Sequence, residues 1–133
     1  MMNKKNKPKI KKVRISWKKV DTMITKLSKK IKNSEIKFDG IYGIPRGGLP
    51  LAVIMSHKLD LPVLLYPTKN SLIIDDISDN GYTLERIKNK KIATLYSTDW
   101  TITNPDWFVE KKKSKEEWII FPWETRDEKA EYS

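Results

Sequence analysis

Apolar residues along the chain recur in two rhythms. From Ser16 to Lys32, Trp17, Val20, Ile24, Leu27 and Ile31 stand three and four apart with lysines on the opposite face, which predicts a helix with one buried side. Ser16 is placed to cap its start, Asn33 and Ser34 end the pattern, and Trp17 is expected to pack in the core. The other rhythm is a series of short apolar runs bounded by turn residues. Phe38 to Ile44, Pro62 to Tyr66, the run opening at Leu72, and Lys91 to Tyr96 read as strands. Helices are expected between them, over Leu51 to Leu59 and from Thr83 to about Lys88. Strands alternating with helices describe an α/β domain.

At 133 residues the chain is long enough for one domain with its own core. It contains no cysteine, which excludes a disulfide framework and thiolate chemistry. No apolar run approaches the length of a membrane span, and the N-terminus lacks the apolar core of a signal peptide. A soluble cytoplasmic protein with no membrane partner is expected. The net charge of +10 is concentrated at the start, where six lysines fall within residues 1–12. Residues 1–14 read as a basic flexible arm and 125–133 as a charged tail. Only Arg14, Arg46, Arg86 and Arg126 are arginines, and base readout and bidentate phosphate clamps favour arginine over lysine. Contact with nucleic acid is therefore expected to be weak and confined to the arm.

Chemistry concentrates between Leu72 and Thr83. Three apolar residues, Leu72 to Ile74, run directly into Asp75 and Asp76, so a buried strand delivers carboxylates at its end. In open α/β sheets that end is where ligands bind. Ser78-Asp79-Asn80-Gly81-Tyr82-Thr83 follows, small and polar around a glycine that can turn backbone N–H groups inward as a phosphate nest. One βα unit earlier, Gly43-Ile44-Pro45-Arg46-Gly47-Gly48-Leu49-Pro50 leaves backbone open to an anion and adds the Arg46 fork. The spacing from Gly43 to Gly48 superficially matches a Walker A loop, but Leu49 and Pro50 stand where Lys and Ser/Thr are required. No G-x-G-x-x-G is present. The single histidine, His57, is assigned no role.

A hydrophobic strand, two acids and a loop ending Asp-x-Gly-x-Thr, preceded by Arg-Gly-Gly, closely resemble the type I phosphoribosyltransferase family. The aromatic segments Pro105-Asp106-Trp107-Phe108-Val109 and Trp118-Ile119-Ile120-Phe121-Pro122-Trp123-Glu124 resemble the base-covering hood of its xanthine–guanine and archaeal-type hypoxanthine members. The resemblance implies a single phosphoribosyltransferase domain over 15–124, with a mostly parallel twisted sheet flanked by helices and a small hood at about 100–124. It also implies a purine phosphoribosyltransferase that uses 5-phosphoribosyl 1-pyrophosphate (PRPP), Mg²⁺ and a 6-oxopurine base, and assembles as a homodimer or homotetramer. Asp75 and Asp76 would accept from the ribose hydroxyls, and Asp79, Asn80, Gly81, Tyr82 and Thr83 would bind the 5′-phosphate. Arg46, Gly47 and Gly48 would bind pyrophosphate. The base would meet Asp79, Thr98, Trp118 and Ile119, with Asp79 the catalytic residue at purine N7. Asp75, Asp76 and Glu124 would lie toward the metal. Trp107 and Trp123 are read as core, Trp118 as the stacking residue.

The chain departs from the family in two places. Relatives insert a long flexible loop where this chain has only Pro67-Thr68-Lys69-Asn70, and they place a lysine on the exocyclic oxygen of the base where Thr98 stands. The basic arm and the missing loop keep open an alternative: a regulatory protein of the same fold that binds PRPP or a nucleotide, together with nucleic acid.

Overall fold

The computed structural model describes residues 9–88, 90–124 and 131–132. Among these residues, seven strands and three helices follow the order β1 (Lys11–Arg14), α1 (Trp17–Asn33), β2 (Ile41–Gly43), α2 (Gly48–Leu59), β3 (Leu72–Ser78), α3 (Tyr82–Glu85), β4 (Lys91–Ser97), β5 (Glu110–Lys111), β6 (Glu117–Ile120) and β7 (Glu131–Tyr132). The main sheet is parallel throughout, in the order β2-β3-β4-β5.

Its central strand shows why an unbroken apolar run was needed. Leu72, Ile73 and Ile74 are all fully buried, because both faces of β3 are covered. Leu72 and Ile74 join the core cluster built with α1 and α2, and Ile73 packs with Leu84 and Ile92 on the other side. Helix α1 presents Val20, Ile24, Leu27 and Ile31 to that core, and the Ser16 hydroxyl accepts from Lys19 N at 3.1 Å as the cap. Trp17 differs from expectation. It is 54 % exposed, with its ring 5.8 Å from that of Trp123, because the helix begins at the rim of the core.

Strand β3 runs beyond the apolar residues, through both acids to Ser78, paired with β4 along its length. Pro62 to Tyr66, expected as a strand, makes a single bridge, Val63 to Ile41, with Leu65 and Tyr66 exposed. The segment pairs with β2 only at Ile41, through Ile41 N to Pro62 O and Leu64 N to Ile41 O, both 2.8 Å, and the ladder goes no further.

A second sheet has the order β6-β1-β7, again parallel. Its centre is Lys11–Arg14, which was expected within a flexible arm and is instead a strand paired with Glu117–Ile120 of the hood. Ile15 next to it is fully buried and donates its N–H to Ile120 O at 3.0 Å. Apolar Val13 and Ile15 alternate with the basic residues, which suits a strand with one covered face. Glu131–Tyr132, expected in the charged tail, pair with the other edge of β1. The rest of the arm (residues 1–8) and of the tail (125–130 and 133) lies outside the described residues. No helix among the described residues is long and apolar enough to cross a membrane.

If Ile15 anchors the hood sheet to the core, Ile15→Ala should lower unfolding free energy by about 2–5 kcal/mol in denaturant titration. A solvated arm would give a change within about 0.5 kcal/mol.

Candidate active site

Because β2, β3 and β4 are parallel and adjacent, their carboxyl ends converge, and each leads into a loop of unusual chemistry. From β2 the chain enters Ile44 to Gly47, anchored by Ile44 N to Ile74 O at 2.9 Å and by Gly48 N to Ile44 O at 2.8 Å. The Pro45–Arg46 peptide is cis. Gly47 lies directly against the second acid: a Cβ there would come within 2.1 Å of Asp76 Oδ2. Only a residue without a side chain allows this loop to approach the carboxylate.

The two acids end up on opposite faces of β3, as successive strand residues must. Asp75 is buried, and Asp76 is half-buried. Each carboxylate curls onto neighbouring backbone: Asp75 Oδ1 accepts from Asp76 N at 2.9 Å, and Asp76 Oδ1 from Ile77 N at 2.8 Å. Burial, with the Asp76 charge adding to it, pushes the Asp75 pKa up to about 8. Burial also raises Asp76.

Beyond Ser78 the loop is set by Gly81, whose φ of 87° lies in the left-handed region. Asn80 Oδ1 accepts from Tyr82 N at 3.1 Å, and the segment Thr101–Thr103 clips the loop from behind. Thr103 Oγ1 donates to Gly81 O at 2.7 Å, Ile102 N to Asn80 O at 2.8 Å, and Ser78 Oγ to Thr103 O at 2.7 Å. Asn80, Tyr82 and Thr83 remain exposed, so the loop is open to an anion.

Asp79 is held at both oxygens. Oδ1 accepts from Trp100 Nε1 at 3.0 Å, and Oδ2 pairs with Lys112 Nζ at 2.6 Å. Thr98, expected to meet the base, is buried and its hydroxyl donates to the Asp79 carbonyl instead. That hydroxyl proton is committed to fixing the loop.

Two cavities meet beside Asp76; Asp75 and Asn80 to Thr83 line neither. One, of about 530 Å³, is lined by Ile10, Lys12, Asp79, Lys112, Trp118 and Ile119. The other, of about 810 Å³, is lined by Arg46, Gly47, Leu49, Pro50 and Trp123. Asp76, Trp118 and Glu124 line both. Trp118 is 46 % exposed and has Lys12 Nζ 5.4 Å from its ring centroid. Trp107 and Trp123 pack as expected, Trp107 edge-on to Phe38 and Trp123 stacked on Phe121 at 5.1 Å. Trp123 also forms part of the second cavity wall. Among the described residues no group of three or more His, Cys, Asp or Glu stands close enough to hold a metal ion. Asp75, Asp76 and Glu124 therefore do not form a closed metal site by themselves.

Sequence reasoning missed Lys112, Trp100, Lys12 and the Thr101–Thr103 clip. Lys112 stands in the run Lys111-Lys112-Lys113, where composition carries no signal separating a buried lysine from its solvated neighbours. Lys12 was hidden in the presumed arm.

A parallel sheet with an acid pair and two glycine-bearing loops at its strand ends has the architecture of α/β proteins that bind ligands across several carboxyl ends. No family model matches the chain. It is 31 % identical over 120 residues to a xanthine-guanine phosphoribosyltransferase of Desulfotalea psychrophila, covering 70 % of this chain and 74 % of that protein. A second xanthine-guanine phosphoribosyltransferase, from Idiomarina loihiensis, is 27 % identical over 139 residues, with 83 % and 85 % covered. The crystal structure of a purine phosphoribosyltransferase from Pyrococcus horikoshii superposes with a TM-score of 0.73 at 34 % identity, over 86 % of this chain and 95 % of that one. The chain belongs to the type I phosphoribosyltransferase family.

The acid pair has a consequence for stability. Asp75 binds its proton more tightly folded than unfolded, since its value moves from 3.8 to about 8. The stability it contributes is complete below the unfolded value and is lost as pH rises through about 8. Asp75→Asn carries no such titration. The melting temperature of the ligand-free variant should therefore exceed that of wild type by a margin that widens from pH 5 to pH 8. A margin independent of pH would remove the assigned burial of charge.

Proposed function

We propose that this protein is a purine phosphoribosyltransferase of purine salvage, transferring the 5-phosphoribosyl group of PRPP to a 6-oxopurine with release of pyrophosphate. The observation that carries this reading is the position of Asp76, on the shared wall of the two cavities. A sugar held there has the base side, with Trp118 and Ile119, in one cavity and the leaving-group side, with Arg46 and Gly47, in the other.

In this reading Asp75 and Asp76 take the ribose hydroxyls. Asp79 to Thr83 cradle the 5′-phosphate with backbone N–H groups and hydroxyls. Arg46 and the backbone of Gly47 receive the pyrophosphate, and Gly48, buried with its N–H on Ile44 O, holds the turn behind them. Trp118 offers a π-face to the base, and the Ile119 backbone reads its edge. As the bond to pyrophosphate lengthens, positive charge develops on the ribose, and the fixed carboxylate of Asp76 stabilises it more in the transition state than before. Asp79, oriented at both oxygens, accepts the proton at purine N7.

The oxygen donors of Asp75, Asp76 and Glu124 suit Mg²⁺, which takes a few carboxylates and completes its shell with substrate phosphates and water. Held there, Mg²⁺ would supply charge neutralisation for the pyrophosphate.

The test is direct: the protein with PRPP and Mg²⁺ is offered hypoxanthine, guanine, xanthine or adenine, and nucleotide is sought. An oxopurine nucleotide is expected, and none from any base would refute the reading. In the same assay Trp118→Ala should raise KM for the base roughly 10-fold, the loss of about 1–2 kcal/mol of stacking, and leave KM for PRPP within about twofold. Equal effects on both substrates would assign Trp118 to the fold alone.

A further inference from the structure

The side chain of Lys112 is only 6 % exposed, although lysines flank it on both sides. Its Nζ hydrogen-bonds Asp79 Oδ2, and among the described residues it has no other hydrogen-bond acceptor. An ammonium carries three N–H donors, and burying one with a single partner leaves a costly remainder. The face of Trp100, 5.7 Å away, supports the charge without accepting a directed hydrogen bond. Lys112 lines the same cavity as Asp79, Trp118 and Ile119, so its remaining donors are available to an occupant of that cavity. The other two lysines of the wall, Lys12 and Lys115, are exposed and can be satisfied by water.

We propose that Lys112 determines which base the site accepts. It sets a donor beside the acceptor of Asp79, the two held 2.6 Å apart, and Trp100 fixes the other carboxylate oxygen. A 6-oxopurine carrying its proton on N7 presents the complementary pair on one edge, an oxygen that accepts next to an N–H that donates. A 6-aminopurine presents a donor at the same place, opposite the ammonium. Lys112 thus supplies from the end of β5 the cation that Thr98, committed to the Asp79 carbonyl, does not. The assignment rests on the purine reading above and names the residue that gives it selectivity.

The experiment compares kcat/KM for hypoxanthine and adenine, with PRPP and Mg²⁺, in wild type, Lys112→Met and Lys112→Arg. Lys112→Met should lose roughly 10- to 100-fold of the hypoxanthine-over-adenine preference, the range for a hydrogen bond to a charged group, and keep its KM for PRPP. Lys112→Arg, which keeps charge and donors, should retain most of the preference. A folded Lys112→Met protein with the wild-type preference would overturn the assignment and leave the purine reading intact. Wild type that converts no purine would overturn both. A measurement on wild type alone guards against a variant that fails to fold. Unsubstituted purine lacks the 6-oxygen and should be used roughly 10-fold or more less efficiently than hypoxanthine. Equal use of the two would overturn the assignment.

Discussion

The site depends on one costly arrangement: two consecutive acids where the central parallel strand leaves the core. Burial raises both, and Asp75 reaches about 8. Each carboxylate is supported by one neighbouring backbone N–H, and no cation among the described residues forms an ion pair with either acid. The neighbouring loops are shaped around the pair. Gly47 gives up its side chain to the space beside Asp76, and Gly81 turns the next loop through a left-handed φ. A strand end whose acids resist ionisation in the free protein is suited to a ligand that brings a cation.

The third acid is treated differently. Asp79, three residues on, is paired with Lys112 and capped by Trp100, so its geometry is fixed before any ligand arrives. In the proposed reading the contrast separates two tasks: Asp75 and Asp76, on β3, would respond to the sugar and its metal, and Asp79, just beyond it, would keep a constant orientation toward the base. The hood serves the second task. It contributes Trp118 and Ile119 from β6, and β1 braces it from the N-terminal side while placing Lys12 over the Trp118 ring.

How much of this could be read in the sequence depended on whether the cause was local. The β3 run, the acid pair and the glycine loops could be read because their chemistry lies within a dozen consecutive residues. The helix at Trp17–Asn33 could be read from its spacing. Strand β1 could not, because its partner, Glu117–Ile120, lies at the far end of the chain and its composition imitates a solvated arm. Pro62–Tyr66 had strand-like letters, yet only Val63 found a neighbour. Lys112 was invisible because burial, not composition, distinguishes it from Lys111 and Lys113, and the bond from Thr98 to the Asp79 carbonyl is a tertiary contact that spacing does not show.

The central claim is that Asp76 stands where the sugar lies, between base and leaving group. Asp76→Asn keeps the size of the side chain and removes its charge. Isothermal titration of this variant with PRPP and Mg²⁺, alongside turnover with the preferred purine, tests the claim most directly. The account predicts that affinity for PRPP and kcat both fall by 10-fold or more, as expected for a charged contact that strengthens in the transition state. Wild-type affinity together with wild-type turnover would contradict it.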